Sequence, residues 1–109
     1  MFILGWSTPT LDADYATYAL FHSDNQGAPG NRSFYSNPDV DRLLDMGRQE
    51  ADPDKRLAIY SELQQKLIEE APMNFLVYNE QMAGVSKKVK NFGLTPSSMY
   101  SLRDTYIVD

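Results

Sequence analysis

A chain of 109 residues with 42% hydrophobic and 23% charged residues has the size and composition of one ordinary globular domain. The net charge of −5, with the acidic excess in residues 37–72, is opposite to that of a phosphate-binding surface, and the short cluster Lys87, Lys88 and Lys90 does not offset it, so no nucleic-acid partner is predicted. No cysteine is present, which excludes disulfides, thiolate metal sites and cysteine nucleophiles.

The first predicted elements are a short strand, a turn and a short helix. Phe2-Ile3-Leu4 is a continuous apolar run ending at Gly5, which fits a strand buried on both faces. Pro9 and the hydroxyl residues around it favour a turn. A helix over residues 12–21 follows, with Asp12 as its N-cap. The residues expected on its inner face are Tyr15, Tyr18 or Ala19, and Phe21.

Two longer amphipathic helices are predicted after a loop over residues 22–36. Asn37-Pro38-Asp39 and Asp52-Pro53-Asp54 each place a capping residue before a proline, which is typical of a helix N-terminus. These signals predict helices over residues 38–49 and 53–70, the second ended by Pro72. The apolar stripe of the first comprises Val40, Leu43, Leu44 and Gly47. The stripe of the second comprises Leu57, Tyr60, Leu63, Leu67 and Ala71.

The helical hairpin needs a sheet or a third helix to cover its apolar stripe. The strands predicted for that purpose are residues 2–5 and 73–79. The second contains the β-prone run 74–79, with which residues 84–86 would pair. Residues 106–108 are predicted to form a last short strand. The fold class expected from these elements is α/β, with the hairpin packed on short strands.

Several motifs together resemble a known family. They are Gly5-Trp6, the run Tyr35-Ser36-Asn37-Pro38-Asp39-Val40-Asp41-Arg42-Leu43-Leu44, and Glu70-Ala71-Pro72. They resemble the C-terminal region of solute-binding proteins of ABC importers, in the dipeptide/oligopeptide/nickel class. Gly5-Trp6-Ser7 followed by hydroxyl residues, then Asp12-Ala13-Asp14, and downstream Ala71-Pro72-Met73-Asn74-Phe75-Leu76-Val77, are most similar to the glutathione-binding branch.

The resemblance implies a fragment of a longer, two-lobed protein with a type II periplasmic-binding-protein fold. Residues 1–74 would form the end of the C-terminal lobe, and residues 75–109 the hinge crossing and return toward the N-terminal lobe. The implied function is capture of a peptide-type ligand (an oligopeptide, a dipeptide or glutathione) outside the cytoplasm, in the periplasm or as a cell-surface lipoprotein. The implied partners are that ligand, the ABC permease subunits and the remainder of its own chain.

In the resembled family, the turn after Gly-Trp lies at the mouth of the ligand cleft. Trp6, Ser7 and Thr8 are therefore the first candidates for ligand contact, since an indole and hydroxyls suit a peptide. Core packing for the indole and ordinary turn chemistry for the hydroxyls are the alternatives. Family members commonly carry an Asp two or three residues after the Trp, which pairs with the ligand's α-amino group. This chain lacks it, and Asp12 or Asp14 is the predicted substitute, although Asp12 is also the predicted helix cap.

His22, the only histidine, raises a metal alternative. Nickel-binding relatives use a histidine in this region, so a nickel or metal-chelate ligand is one alternative, but with no second His or Cys a structural role for His22 is favoured. No cofactor is predicted. Histidine and serines in a Gly/Asn loop co-occur by chance, so the chain is not predicted to be an enzyme. A helical-hairpin protein-interaction module, with residues 38–71 as the docking surface, is a further alternative.

Overall fold

The computed structural model describes residues 3–97 and 99–109. Three α-helices come first: α1 at Ala13–Phe21, α2 at Pro38–Gln49 and α3 at Pro53–Glu70. Four two-residue strands follow: β1 at Val89–Lys90, β2 at Gly93–Leu94, β3 at Tyr100–Ser101 and β4 at Tyr106–Ile107. β1 pairs with β4 and β2 with β3, both antiparallel, so the inner pair is nested within the outer one. Within the described ranges, no helix has the length and apolar character needed to cross a membrane.

The predicted caps start all three helices. The side chain of Asp12 accepts a hydrogen bond from the Asp14 amide at 2.8 Å, and Asn37 and Asp52 each accept from the two amides that follow their proline. The bounds of α2 and α3 match the predicted 38–49 and 53–70. The last residue of α3 is Glu70, and the C-cap that follows it, Ala71, takes the left-handed conformation (φ 46°) just before Pro72. Local capping chemistry therefore fixes where each of these helices begins.

The hydrophobic core lies between the three helices. Its buried side chains are Leu20 and Phe21 of α1, Val40, Leu43 and Leu44 of α2, and Tyr60, Leu63 and Leu67 of α3. The predicted stripe of α2 is confirmed, including buried Gly47. The hairpin is covered mainly by α1, with Met73 at the edge of the core and Phe75 against Phe21, and residues 3–5 and 73–79 form no strand over it, which corrects the expected packing. Two residues at the end of a short helix thus complete the core.

On α1 and α3 the predicted inner faces were partly wrong. Tyr15 is 47% exposed, because the core contacts of α1 fall on its last turn. Leu57 is 68% exposed, and Ala71 is exposed beyond the last turn. Tyr60, Leu63 and Leu67 follow i, i+3, i+7, and the position one turn before Tyr60 on that stripe is Arg56, not Leu57. The guanidinium of Arg56 therefore occupies the inward-facing position that was predicted for Leu57.

The predicted early and middle strands are absent. Residues 3–5, 74–79 and 84–86 form no strand, and Ile3 and Tyr78 are 81% and 96% exposed; Phe2 lies outside the described residues. A strand needs a partner to complete its backbone hydrogen bonds, and the described chain offers these segments none. The last predicted strand is confirmed over Tyr106–Ile107.

The loop over residues 22–36 is organised around one buried amide. Asn31, 0% exposed, donates to the carbonyls of His22 and Tyr35 and accepts from the Ser33 hydroxyl and the Tyr35 amide. A short 3-10 turn at Ser23–Asn25 is tied to α2, because the Ser23 hydroxyl donates to Asp41 at 2.7 Å. The predicted loop is therefore present and closely tied to the helices.

Two leucines of α3 test the position of the core. Leu63→Ala removes a side chain that is 0% exposed, and we expect it to lower the free energy of unfolding by about 2–5 kcal/mol. Leu57→Ala, on the same helix but exposed, should change it by less than about 0.5 kcal/mol. Urea unfolding followed by circular dichroism measures both, and equal losses would contradict the assignment of the stripe.

Gly47 tests the contact between α2 and α3. A Cβ at this position would lie 2.9 Å from the Tyr60 ring. Gly47→Ala should therefore destabilise the chain by about 1–3 kcal/mol, even though alanine has the higher intrinsic helix propensity. Gly84→Ala, with nothing within 4 Å of its Cβ, is the matched control. A stabilised Gly47→Ala variant in the same urea assay would show that the ring does not pack there.

Candidate functional site

The candidate turn is residues 6–11, which enters α1 through its cap. The Leu11 amide donates to the Thr8 carbonyl at 3.2 Å, and Leu11 takes a left-handed conformation (φ 56°). Trp6 and Ser7 are exposed and Thr8 is half-buried. The turn therefore presents an indole and hydroxyls to its surroundings, which are uncharged hydrogen-bonding groups.

Asp12 joins this turn to α3. Arg56 donates from Nη2 to Asp12 Oδ1 at 2.7 Å and from Nη1 to Oδ2 at 2.9 Å, while Asp12 also accepts from the Asp14 amide. This two-point contact between a guanidinium fork and a carboxylate is among the stronger charged hydrogen bonds in proteins. Asp12 is therefore both the cap of α1, as predicted, and the partner of an arginine 44 residues further along the chain.

Arg56 reaches two further groups. Its Nε donates to the Gly47 carbonyl at the end of α2 at 2.9 Å, and its guanidinium lies 4.9 Å from the centre of the Tyr60 ring. Tyr60 in turn packs against Gly47, which has no side chain to obstruct it. One side chain thus connects the start of α1, the end of α2 and the first turns of α3.

A second arginine repeats the contact beside the first. Arg48 donates from Nε and Nη2 to the two oxygens of Asp14 at 3.0 and 3.1 Å. Its guanidinium also lies 3.6 Å from the centre of the Tyr18 ring, and Tyr18 stacks on His22 with ring centres 4.4 Å apart. Both candidate carboxylates near the turn are therefore already paired with arginines of the hairpin.

These pairs change the charge properties of the turn. The hydrogen bonds from Arg56, then that from the Asp14 amide, lower the pKa of Asp12 below its ordinary value. The same contact with Asp12 raises the pKa of Arg56, and Asp14 raises that of Arg48. Since each carboxylate is matched by a guanidinium, the entrance to α1 carries little net charge.

His22 is buried as a packing residue. It is 5% exposed, stacks on Tyr18 and accepts a hydrogen bond at Nδ1 from the Asp24 amide. Its Nε2 lies 3.7 Å from Asp45 and has no hydrogen-bond partner in the described part of the chain. Among residues 3–97 and 99–109, no three His, Cys, Asp or Glu side chains come together as a metal-binding group. The contacts of His22 match the structural role favoured for it.

A separate cluster holds the loop to the far end of α3. The Tyr35 hydroxyl donates to Glu70 at 2.7 Å and the Asn37 amide donates to the same carboxylate at 2.6 Å. These bonds, with that from Tyr35 first, lower the pKa of Glu70, and burial followed by the Glu70 contact raises that of Tyr35. The residues of the sequence run beginning at Tyr35 therefore connect structural elements rather than line the turn.

No protein-family model matches the chain. The chain is 32% identical, over its whole length, to glutathione-binding protein GsiB of Pectobacterium atrosepticum. It is 34% identical to the protein of that name from Salmonella choleraesuis and 33% identical to that from Escherichia coli K12, in each case over 95% of the chain. It spans only about a fifth of the length of these relatives, 21% of the first and 20% of the other two.

These relatives confirm the resemblance predicted from the motifs. They are named for binding and not for a reaction, in agreement with the prediction that the chain is not an enzyme. Arg48 and Arg56 were missed by the sequence analysis. The one local signal was that Arg56 continues the apolar stripe of α3 one turn before Tyr60, since its partner Asp12 is remote in sequence.

The lowered pKa of Asp12 predicts a pH dependence of stability. A carboxylate with a depressed pKa in the folded state stabilises the chain above its unfolded value of 3.8, and that contribution is lost as the pH falls through the lower folded value. Asp12→Asn keeps a capping oxygen but loses the charge pair, so the variant should lose less stability than the wild type between about pH 5 and pH 2, by at most about 1 kcal/mol. Urea unfolding across this range measures it.

Arg56→Met is the matched partner variant, because it removes the other half of the pair. It should reduce the same acid-dependent portion of the unfolding free energy. An Asp12→Asn variant that follows the wild-type pH profile would contradict the assignment.

Proposed function

Because this chain is homologous along its full length to glutathione-binding proteins of the dipeptide/oligopeptide/nickel class of solute-binding proteins, we propose that it forms part of the ligand cleft of such a protein. The complete protein captures a peptide-type ligand outside the cytoplasm and delivers it to the permease of an ABC importer. Glutathione is the proposed ligand, since the relatives that align with 95–100% of this chain are named glutathione-binding proteins. This homology is the observation that carries the proposal.

The chain is proposed to be one portion of a longer two-lobed protein. Residues 1–74 would end the C-terminal lobe and residues 75–109 would cross the hinge toward the other lobe, within a type II periplasmic-binding-protein fold. Exposed apolar side chains support this division, because Leu76, Val77 and Tyr78 are 65–96% exposed, unlike Phe75, whose ring contacts Phe21 of α1. The helical hairpin, by contrast, buries most of its apolar stripe against α1 within the described chain.

The proposed ligand contacts are Trp6, Ser7 and Thr8. Trp6 and Ser7 are exposed and Thr8 is half-buried, and the lack of charge on all three suits the peptide groups of a small ligand, with the indole as a flat wall and its N–H as a donor. Asp12 and Asp14 were also predicted as contacts, and they lie close to the turn in sequence. Their oxygens are engaged by Arg56 and Arg48, so direct contact with a ligand is proposed for the first three residues only.

Titration calorimetry on the full-length protein tests the proposed function. Glutathione should bind, and Trp6→Ala should weaken its affinity roughly tenfold or more, as truncating a contacting aromatic side chain commonly does. Leu57→Ala, which removes an exposed side chain of α3, is the control and should bind within about twofold of the wild type. A dipeptide, an oligopeptide pool and a nickel–histidine mixture are titrated in parallel.

Absence of heat with glutathione and with both other peptide samples would overturn the peptide-binding proposal. Binding of nickel–histidine alone would assign the protein to the metal-chelate alternative, and wild-type affinity in Trp6→Ala would overturn the position of the site.

A further inference from the structure

We propose that Asp12 and Arg56 are positioning residues, which hold the turn at residues 6–11 in its binding conformation, and that Asp12 is not the anchor for a ligand ammonium group. This inference rests on the proposed function of the turn. It concerns which residues set the geometry of the turn and how its acidic residue is used.

The geometry of the pair supports positioning. Both oxygens of Asp12 accept from the fork of Arg56, and one of them also accepts from the Asp14 amide in the first turn of α1. The fork is itself fixed, because Arg56 Nε donates to the Gly47 carbonyl. A planar group held at three points has little freedom to swing, so the carboxylate it binds is held too. Asp12 immediately follows Leu11, the last residue of the turn, and the turn therefore inherits this fixed end.

Burial and charge argue against an ammonium anchor at Asp12. Arg56 is the more buried member of the pair, with 29% of its side chain exposed against 42% for Asp12. A ligand ammonium that approached Asp12 would also approach the guanidinium of Arg56, whose Nη2 lies 2.7 Å from Asp12 Oδ1, and like charges in close proximity repel. Asp14 offers no free substitute, because Arg48 contacts both of its oxygens.

A double-mutant cycle in the full-length protein separates the two roles. Glutathione affinity is measured by calorimetry for the wild type, Asp12→Asn, Arg56→Met and the double variant, at a temperature where circular dichroism shows each to be folded. Positioning predicts that each single change weakens binding by a similar factor, roughly tenfold, and that the double variant is no weaker than either. Direct anchoring predicts that Arg56→Met keeps or improves the wild-type affinity, since it frees the carboxylate, and that result would overturn the proposal.

A ligand without its ammonium group gives an independent comparison. The ratio of affinities for glutathione and N-acetylglutathione should be the same in Asp12→Asn as in the wild type, because a positioning residue affects both ligands alike. A ratio that falls toward one in Asp12→Asn would assign the ammonium to Asp12 and overturn the proposal. Arg42→Met removes an exposed arginine of α2 and is the control, with the wild-type affinity expected for both ligands.

Hydrogen exchange of the ligand-free protein tests positioning without any binding assay. Amides of the peptide covering residues 6–12 should exchange roughly tenfold faster in Asp12→Asn and Arg56→Met, and at the wild-type rate in Arg42→Met. Unchanged exchange would overturn the proposal even if glutathione binds. Faster exchange in a protein that binds no peptide would instead support the positioning role and reject the proposed ligand. If Arg56→Met does not fold, Arg56→Lys replaces it, since lysine keeps the charge but loses the fork.

Discussion

The contact that most constrains how the described helices are arranged is that of Arg56, although the buried leucines contribute more to stability. Its fork donates to Asp12, the cap of α1, and its Nε donates to the carbonyl of Gly47, near the end of α2. Arg56 itself lies on α3, so its side chain contacts or belongs to all three helices. Most of the hydrophobic contacts between helices involve leucines that could pack in several arrangements at similar cost. A planar group with directed donors accepts only one arrangement of the three chain segments around it. The charged contact therefore selects among packings that the apolar core alone would leave open.

The polar contacts of the helical part share a common purpose. Arg48 and Asp14 repeat the connection between α1 and the hairpin, Ser23 and Asp41 connect the loop to α2, and Tyr35 with Asn37 connects the end of that loop to Glu70. Each joins segments that are distant in sequence, and each is partly exposed, so its individual contribution to stability is small. Together they hold a long loop and a short helix on a core of eight buried side chains. The turn at residues 6–11 leads directly into that framework and has little freedom where it meets α1.

Local signals in the sequence predicted this part of the structure well. Asn37-Pro38 and Asp52-Pro53 act through hydrogen bonds to amides two or three residues away, so the start of a helix is encoded where it occurs. The strands predicted at residues 2–5 and 73–79 were wrong over the described residues, 3–5 and 73–79, for the opposite reason. Whether an apolar run becomes a strand depends on a partner elsewhere, and sequence pattern does not reveal whether one is near.

In the candidate site, too, local features were predicted correctly and contacts between distant residues were not. Asp12 was predicted correctly as a cap, which is a local property, while its pairing with Arg56 depends on how the hairpin folds back toward α1. The periodicity of α3 predicted that Leu57 faces the core, because an arginine at position 56 is expected to face solvent unless a partner holds it. In the structure Leu57 is exposed and the inner stripe passes through Arg56. A buried-stripe position occupied by a charged residue is thus a signal of a tertiary ion pair, but the identity of the partner needs the fold.

The exposed run at residues 75–78 has a consequence for how the chain behaves by itself. Phe75, Leu76, Val77 and Tyr78 are uncharged, β-prone and exposed, and in the described part of the chain their backbone pairs with no strand. Such a run is a template for the same run in a second molecule, since two unpaired edges satisfy each other's hydrogen bonds. Self-association through this run therefore competes with the monomer as concentration rises, and masking these four residues is a condition for handling the helical part as a soluble unit.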